Sequence, residues 1–217
     1  YSLLYEYLKL KGYTHDFFYI KDGKLVRGVP DYSSELSELK SKINIYDGSL
    51  NKIGDHPSAL SVGWYRDNSK KSGKLNALLN NGYNYLHNIT HSDTKTAMWS
   101  VFKGNDGSTK LESEKEKRKR VIKYYASSEL ACNARASNEY KDRTDLAYLC
   151  NLFLHPFQTE YFSKNDVHID VNGIALSRLV QWVWRSAIRE GNPINLYLPS
   201  SRMRKLFISW LNHEDYF

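Results

Sequence analysis

Three consecutive stretches near the end of the chain decide the fold: IALSRLVQWVWRSAIREG (174–191), PINLYLPS (193–200) and SRMRKLFISWLNHE (201–214). Apolar residues recur every three to four positions in the first and third stretches, which predicts two amphipathic helices. The middle stretch is short and mostly apolar, as is typical of a strand buried on both faces. A helix, a buried strand and a helix in this order predict an α/β fold with a parallel sheet.

The upstream sequence adds elements of the same fold class. Two strand-like runs flank Asp22-Gly23, a dipeptide that favours tight turns, and therefore predict a β-hairpin. KINIYDGSL (42–50) predicts another strand. The remaining predictions are a short helix over 1–11, a polar helix over 31–41, a strand or an inward-facing loop over 59–68, helices over 74–90 and 91–104, a β-rich segment over 121–132, and a helix over 146–157 with a buried strand as its alternative.

The chain divides into three parts by composition. Residues 1–104 carry the hairpin and helices, residues 105–121 form a charged surface loop, and residues 122–217 hold the core stretches. No internal repeat and no clear linker is visible in the sequence. We therefore expect a single α/β domain with a β-hairpin and helical additions.

The composition indicates a polyanionic partner. The formal net charge is +7 and the isoelectric point is about 9.2, and a basic surface gains affinity for nucleic acid by releasing counterions from phosphates. The 17 tyrosines suit base-stacking surfaces, although an AT-rich genome also accounts for them. Lys119 and Arg120 end a basic run that is either a backbone-gripping loop or a solvated linker. DNA is the expected partner ahead of RNA.

The sequence argues against metal and membrane functions. Its two cysteines form no CxxC pair, and no apolar run is long enough to span a bilayer, so we expect a cytoplasmic protein without a zinc site. Asp166, His168 and Asp170 leave a metal-dependent nuclease as a minor alternative. His87 and His91 have a metal-ligand spacing on a helix, but helix-surface histidines are the favoured interpretation.

The first stretch concentrates arginine on one side of its helix. On a continuous helix over 176–189, one polar side receives Trp182 and the four residues Arg178, Gln181, Arg185 and Arg189, and Trp184 lies in the apolar stripe. A solvated face usually mixes charges of both signs, whereas forked, always-charged arginines are the residues that hold phosphate. The stretch therefore predicts a phosphate-facing surface, with structural ion pairs as the alternative.

These residues resemble a known family. Gln181 followed by Arg185 is similar to motif VI of superfamily 2 helicases, although Arg189 lies one residue later than the pattern and Trp184 replaces its glycine. The wider resemblance is to helicase-like proteins of phages and mobile elements, and it rests on NARASNEY (133–140), LAYLCN (146–151), WRSAIREG (184–191) and INLYLPSSRMR (194–204).

The resemblance implies a RecA-like parallel-sheet core that acts as a second motor domain. In that family Arg185 and Arg189 would be arginine fingers toward the γ-phosphate of ATP, and Gln181 would couple nucleotide state to domain closure. The motif V-like segment would place its residues on the nucleic-acid backbone. Those residues are Arg135, Ser137 and Asn138.

One sequence absence limits this implication. No G-x-x-x-x-G-K-[ST] motif occurs in the chain, so ATP and Mg²⁺ would have to be held by an N-terminal RecA-like domain of the same protein. Because Tyr1 replaces an initiator methionine, we expect the chain to be a fragment. The competing hypothesis is a non-catalytic nucleic-acid-binding module on the same scaffold.

Overall fold

The computed structural model describes residues 2–14, 16–68, 73–102, 120–134 and 138–214. The strands are β1 (Phe18–Lys21), β2 (Lys24–Arg27), β3 (Ile43–Ile45), β4 (Ala97–Ser100), β5 (Asp145–Tyr148) and β6 (Ile194–Tyr197). The α-helices are α1 (Ser2–Leu10), α2 (Ser33–Ser41), α3 (Val62–Asn68), α4 (Gly73–Asn84), α5 (Pro156–Ser163), α6 (Val171–Val183) and α7 (Ser201–Leu211). Short 3-10 helices span Ser49–Gly54, Lys123–Ser128 and Ala187–Glu190, and a π-helical turn, Tyr85–Ile89, continues α4.

Four parallel strands form the central sheet in the order β3-β6-β5-β4. All residues of β4 and β5 are buried, as expected of strands that are covered on both faces. Two strands come from 1–104 and two from 122–217, so both sides of the charged segment at 105–121 build one sheet. The α/β class with a parallel sheet is confirmed.

Helices cover the sheet on both faces. Ala147 and Tyr197 are register partners, so their side chains share one face, and Tyr148 points to the other. Tyr197 stacks on Tyr85 of the π-helical turn at 5.0 Å between ring centroids, whereas Tyr148 meets Trp182 of α6 at 5.0 Å. The sheet therefore lies between the α4 layer and a layer that contains α6 and its neighbour α7.

Local patterns predicted several elements correctly. The hairpin turns at Asp22-Gly23, with left-handed backbone at both residues (φ 51° and 72°). The predictions of α2, β3, α4 and β6 are also confirmed. The same holds for α7, where the Ser200 hydroxyl accepts the Met203 N–H as an N-cap at 3.3 Å.

Four predictions were wrong. The helix expected over 91–104 contains strand β4, and the helix favoured over 146–157 contains strand β5, so for that segment the alternative was right. Continuous apolar runs carry no period that separates a buried strand from a buried helix. The segment 59–68 forms α3 with Tyr65 directed inward, and the β-rich segment 121–132 forms a 3-10 helix and one bridge.

The segment 120–130 covers the outer edge of β4. Trp99 donates its indole N–H to the Tyr125 carbonyl at 2.7 Å, and its own carbonyl accepts the Leu130 N–H at 2.9 Å. One parallel bridge joins Trp99 to Glu129. An exposed strand edge is prone to pair with other chains, and this segment covers the edge without forming a full fifth strand.

We expect Tyr148→Phe to raise the free energy of unfolding by about 1 kcal/mol, because a buried polar group without a partner costs roughly that much. The Tyr148 hydroxyl is buried and has no hydrogen-bond partner within the described part of the chain, and burial raises the pKa of this tyrosine well above its usual value. Chemical denaturation measures the change.

Tyr65→Phe is the matched control for this prediction. Its hydroxyl is equally buried but donates to the Leu149 carbonyl at 2.6 Å, so removing it is expected to lower the free energy of unfolding by about 1 kcal/mol. Equal destabilisation by both variants would contradict the assignment of Tyr148 as unpartnered.

Candidate nucleic-acid interface

The arginine-rich stretch is not one continuous helix. Helix α6 ends at Val183. The Ala187 N–H, which would continue the helix, donates to the Arg143 carbonyl, and the Val183 carbonyl accepts the buried Ser186 hydroxyl at 2.7 Å and the Ser186 N–H at 3.1 Å. The chain then forms the 3-10 helix Ala187–Glu190. This helix ends at Gly191, whose left-handed φ of 79° favours glycine. The helix predicted over 176–189 was therefore too long.

The early helix end exchanges the roles of two tryptophans. Trp182 is 2% exposed and donates to the Leu130 carbonyl at 3.3 Å, whereas Trp184 is 44% exposed. The sequence prediction had placed Trp184 in the core and Trp182 near the polar side, and both placements were wrong. A large aromatic ring therefore stands among the arginines at the surface, where the helical projection did not put it.

Gln181, Trp184, Arg185 and Arg189 line one concavity together with Val180, and we call this set the arginine face. The concavity is open and measures about 270 Å³. Gln181 is held by a hydrogen bond from its amide to the Ser177 hydroxyl at 3.1 Å. The structure thus brings together all three residues of the predicted motif VI-like group, although by a turn and not by a helical stripe.

The motif V-like segment reaches the arginine face through Asn138. Arg189 donates a guanidinium N–H to the Asn138 side-chain oxygen at 2.7 Å, across 51 positions of sequence. Arg135 and Ser137, predicted as phosphate contacts, lie outside the described residues, as does Lys119. Asn138 is therefore the member of the predicted nucleic-acid set that the structure places beside the arginines.

Arg120 is a correction to the predicted set. It is 2% exposed, donates to the Phe102 carbonyl at 2.7 Å and lies over the Tyr65 ring at 5.3 Å. Its guanidinium fills the interior next to the end of β4. A side chain so placed does not reach a phosphate at the surface, and the basic composition of its neighbours did not reveal this.

The charges of the arginine face are available for a ligand. Arg189 is exposed and Arg185 is half-buried. None of the carboxylates in the described ranges forms an ion pair with Arg185 or Arg189, and the ion pairs that these ranges do contain lie elsewhere on the surface. Within the described part of the chain, Arg185 and Arg189 therefore do not form the structural ion pairs that were the alternative prediction for this face.

The arginine face lies at the amino-terminal edge of the sheet. Ala187 donates its N–H to the Arg143 carbonyl at 2.9 Å, just before β5 begins, and the start of β6 pairs with the residues that precede β5 and β3. Open parallel sheets bind nucleotides at the opposite edge, outside the carboxyl ends of the strands. The position of the arginines therefore favours a surface ligand over a nucleotide held in a sheet crevice.

A second polar cluster, which the sequence analysis missed, lies at the carboxyl end of the sheet. Arg202 at the start of α7 donates to the Asn151 side chain at 3.1 Å and the Leu152 carbonyl at 2.7 Å, both just after β5. It also donates to Asn172 of α6 at 2.9 Å, and burial lowers its pKa from the usual value. The arginines of the SRMR segment were the available signal. Both terminal nitrogens of Arg202 donate to partners within the domain.

The metal alternatives find no support in the structure. In the described ranges, no group of three or more potential ligand side chains could hold a metal ion. Asp170 is engaged as the N-cap of α6 and accepts the Gly173 N–H at 2.7 Å. His87 stacks on the Tyr83 ring at 4.9 Å between centroids, as a helix-surface histidine does.

Four parallel strands flanked by helices define a Rossmann-like α/β domain. The model of the YonV C-terminal Rossmann-like domain family matches residues 37–211, and the chain belongs to this family. One relative is the SPbeta prophage-derived uncharacterized protein YonV of Bacillus subtilis (strain 168), with 43% identity over 176 residues. The matched part is 81% of this chain and 40% of that protein, so the chain spans less than half the length of this relative.

The comparisons support the phage-related part of the predicted resemblance and leave its helicase part as a hypothesis. No solved structure matches the chain. Within the described ranges, no helix is long and apolar enough to cross a membrane.

Proposed function

We propose that this domain is a nucleic-acid-binding module and that the arginine face is its contact surface. The observation that carries the proposal is the convergence of Arg185 and Arg189, free of carboxylate partners among the described residues, with Gln181 and Trp184 around one open concavity. Two forked cations that form no ion pair within the described part of the chain are suited to neighbouring phosphates of one polynucleotide backbone.

The rest of the molecule supports a polyanionic ligand. A net charge of +7 favours approach of nucleic acid from a distance. The Arg189–Asn138 bond fixes one guanidinium in place before a ligand arrives, which lowers the entropy lost on binding. With a polynucleotide partner, the domain would act in the cytoplasm of a bacterial or phage-infected cell, with DNA expected ahead of RNA.

The test is binding of a fluorescently labelled DNA oligonucleotide, measured by anisotropy over a range of salt concentrations. Each lost phosphate contact costs about 1 kcal/mol, so Arg185→Ala/Arg189→Ala is expected to weaken binding about 30-fold at low salt. The slope of log affinity against log salt should fall by roughly 1.4 on single strands, because two phosphate contacts are lost.

Arg27→Ala/Arg66→Ala is the matched control. It removes two exposed arginines from other parts of the surface, where they pair with Asp16 and Asp67, and so changes the net charge equally. We expect less than about a threefold change for this variant, because it loses only long-range attraction. Equal losses in the two double variants would contradict the proposed surface.

The motor-domain hypothesis is the second candidate, and the Arg189–Asn138 contact favours it, because it joins the motif V-like and motif VI-like segments. In this case Arg185 and Arg189 would serve ATP and Mg²⁺ held by a preceding RecA-like domain. Arg185→Ala would then abolish DNA-stimulated ATP hydrolysis in a longer form of the protein and leave DNA affinity nearly unchanged. Loss of affinity with no ATP hydrolysis in any form favours the binding module.

A further inference from the structure

We infer that the arginine face takes single-stranded nucleic acid, with one unstacked base resting on the Trp184 ring. This inference rests on the proposed function and adds the class of ligand. Trp184 is 44% exposed, in contrast to the fully buried Trp99 and Trp182. It lines the same concavity as Arg185 and Arg189, so one surface offers an aromatic plane and two phosphate ligands.

The end of α6 at Val183 places this ring at the surface. The indole of Trp182 donates to a main-chain carbonyl and its ring meets Tyr148, so the interior is already filled by the preceding tryptophan. Among the described residues, Trp184 forms no contact with another aromatic ring, and it lies at the surface in the same concavity as Arg185 and Arg189. A large apolar ring left exposed between cations is what stacking on a base requires.

The dimensions of the concavity favour one unit of a strand. Pockets for free small molecules usually measure about 300–1,000 Å³ and are largely closed. The concavity here measures about 270 Å³ and is open, so a ligand in it keeps part of its surface outside the site and can continue into a longer chain. In a duplex both faces of each base are covered by neighbouring bases, so a fixed surface ring reaches a base only in a single strand or at an end.

The side chains around Trp184 supply the other contacts of one nucleotide. Arg185 follows it directly in the chain, and Arg189 lies one 3-10 turn further on, held by Asn138. Gln181, in the last turn of α6, carries an amide that can meet a base edge. Along the chain, the Gln181 amide is followed by the Trp184 ring and then by two arginines. These groups would contact the edge of a base, the face of that base and the phosphates of the backbone, respectively.

The experiment compares three probes on the full chain: a single-stranded oligo-dT, a duplex of equal length, and an abasic strand with the same number of phosphates. Trp184→Ala is expected to weaken oligo-dT binding about tenfold and to leave the duplex and abasic affinities within about twofold. Trp184→Phe should retain most of the oligo-dT affinity, since a phenyl ring still stacks. The affinity for an RNA strand of the same length shows whether the stacking surface accepts both ribose and deoxyribose or prefers DNA.

Fluorescence supplies a readout that a merely structural role would not change. The chain has five tryptophans, and oligo-dT should quench the wild-type emission by contact with Trp184, with the quenching absent in Trp184→Phe. An equal loss of affinity by Trp184→Ala on all three probes, or no loss on oligo-dT, would overturn stacking while leaving the proposed function intact. Absence of salt-dependent binding to every probe by the wild-type chain would overturn both.

Discussion

Trp99→Ala is expected to lower the free energy of unfolding by about 4 kcal/mol, the range found when buried tryptophans are truncated to alanine. Trp99 is fully buried at the centre of β4, and its indole N–H is the partner of the Tyr125 carbonyl at 2.7 Å. The substitution removes the ring from the core and also leaves that buried carbonyl unpaired. Denaturant titration followed by circular dichroism measures the loss.

Two variants separate the parts of this effect. Trp99→Phe keeps most of the apolar volume and loses the N–H donor, so about 1–2 kcal/mol is expected. Trp184→Ala deletes an equal ring from the surface and should change stability by less than about 0.5 kcal/mol. A loss near 4 kcal/mol for Trp184→Ala would mean that the ring packs in the interior, and it would also contradict the stacking inference.

Arg202→Ala is expected to lower the free energy of unfolding by about 3 kcal/mol, because charged hydrogen bonds contribute more than neutral ones and their partners stay buried. Arg202 ties the exit of β5 to the starts of α6 and α7 through the Asn151, Leu152 and Asn172 oxygens. Its guanidinium also lies over the Phe153 ring at 4.4 Å. Thermal or urea unfolding measures the change.

A lysine cannot replace Arg202, because one ammonium group does not match the forked geometry that serves three acceptors. We therefore expect Arg202→Lys to recover less than half of the loss. Lys205→Ala, at an exposed position on the same helix, is the control and should remain within about 0.5 kcal/mol of the wild type. If Arg202→Ala proved as mild as this control, the hydrogen bonds at the end of β5 would not be holding the two helices.

The sequence predicted best the elements whose rules are local. A tight turn at Asp22-Gly23 needs only two residues with left-handed backbone, and the Ser200 cap needs only one hydroxyl before α7. The predictions for the segments that contain β4 and β5 were wrong, because an unbroken apolar run has no period that distinguishes a strand from a helix. What makes each a strand is its neighbour in the sheet, which lies far away in the sequence and leaves no mark on a local pattern.

The sequence predicted which arginine and glutamine residues lie together at the candidate site, but it did not predict how the chain brings them together. Gln181, Arg185 and Arg189 do share one surface, but the helical projection that selected them fails after Val183. There the Ala187 N–H donates to the Arg143 carbonyl and not to Val183, and the resulting turn exposes Trp184. Asn138 belongs to the site through its hydrogen bond with Arg189, 51 positions away in the sequence. Arg120 does not belong to it, because its guanidinium is buried beside the Tyr65 ring. Such long-range contacts have no counterpart in residue spacing.

The strand order has a consequence for how the chain is made. β3 pairs with β6, and β6 is also the neighbour of β5, so the strand of this sheet that is synthesised last occupies an inner place in it. β4 and β5 can pair early, but β3 stays without its strand partner until the residues around 194–197 have been synthesised. Long-range parallel pairing of this kind is slow to form and leaves strand edges open in the meantime. Folding of this sheet is therefore completed only after Ile194–Tyr197 has been synthesised, and a nascent chain stalled before Ile194 would remain open to aggregation.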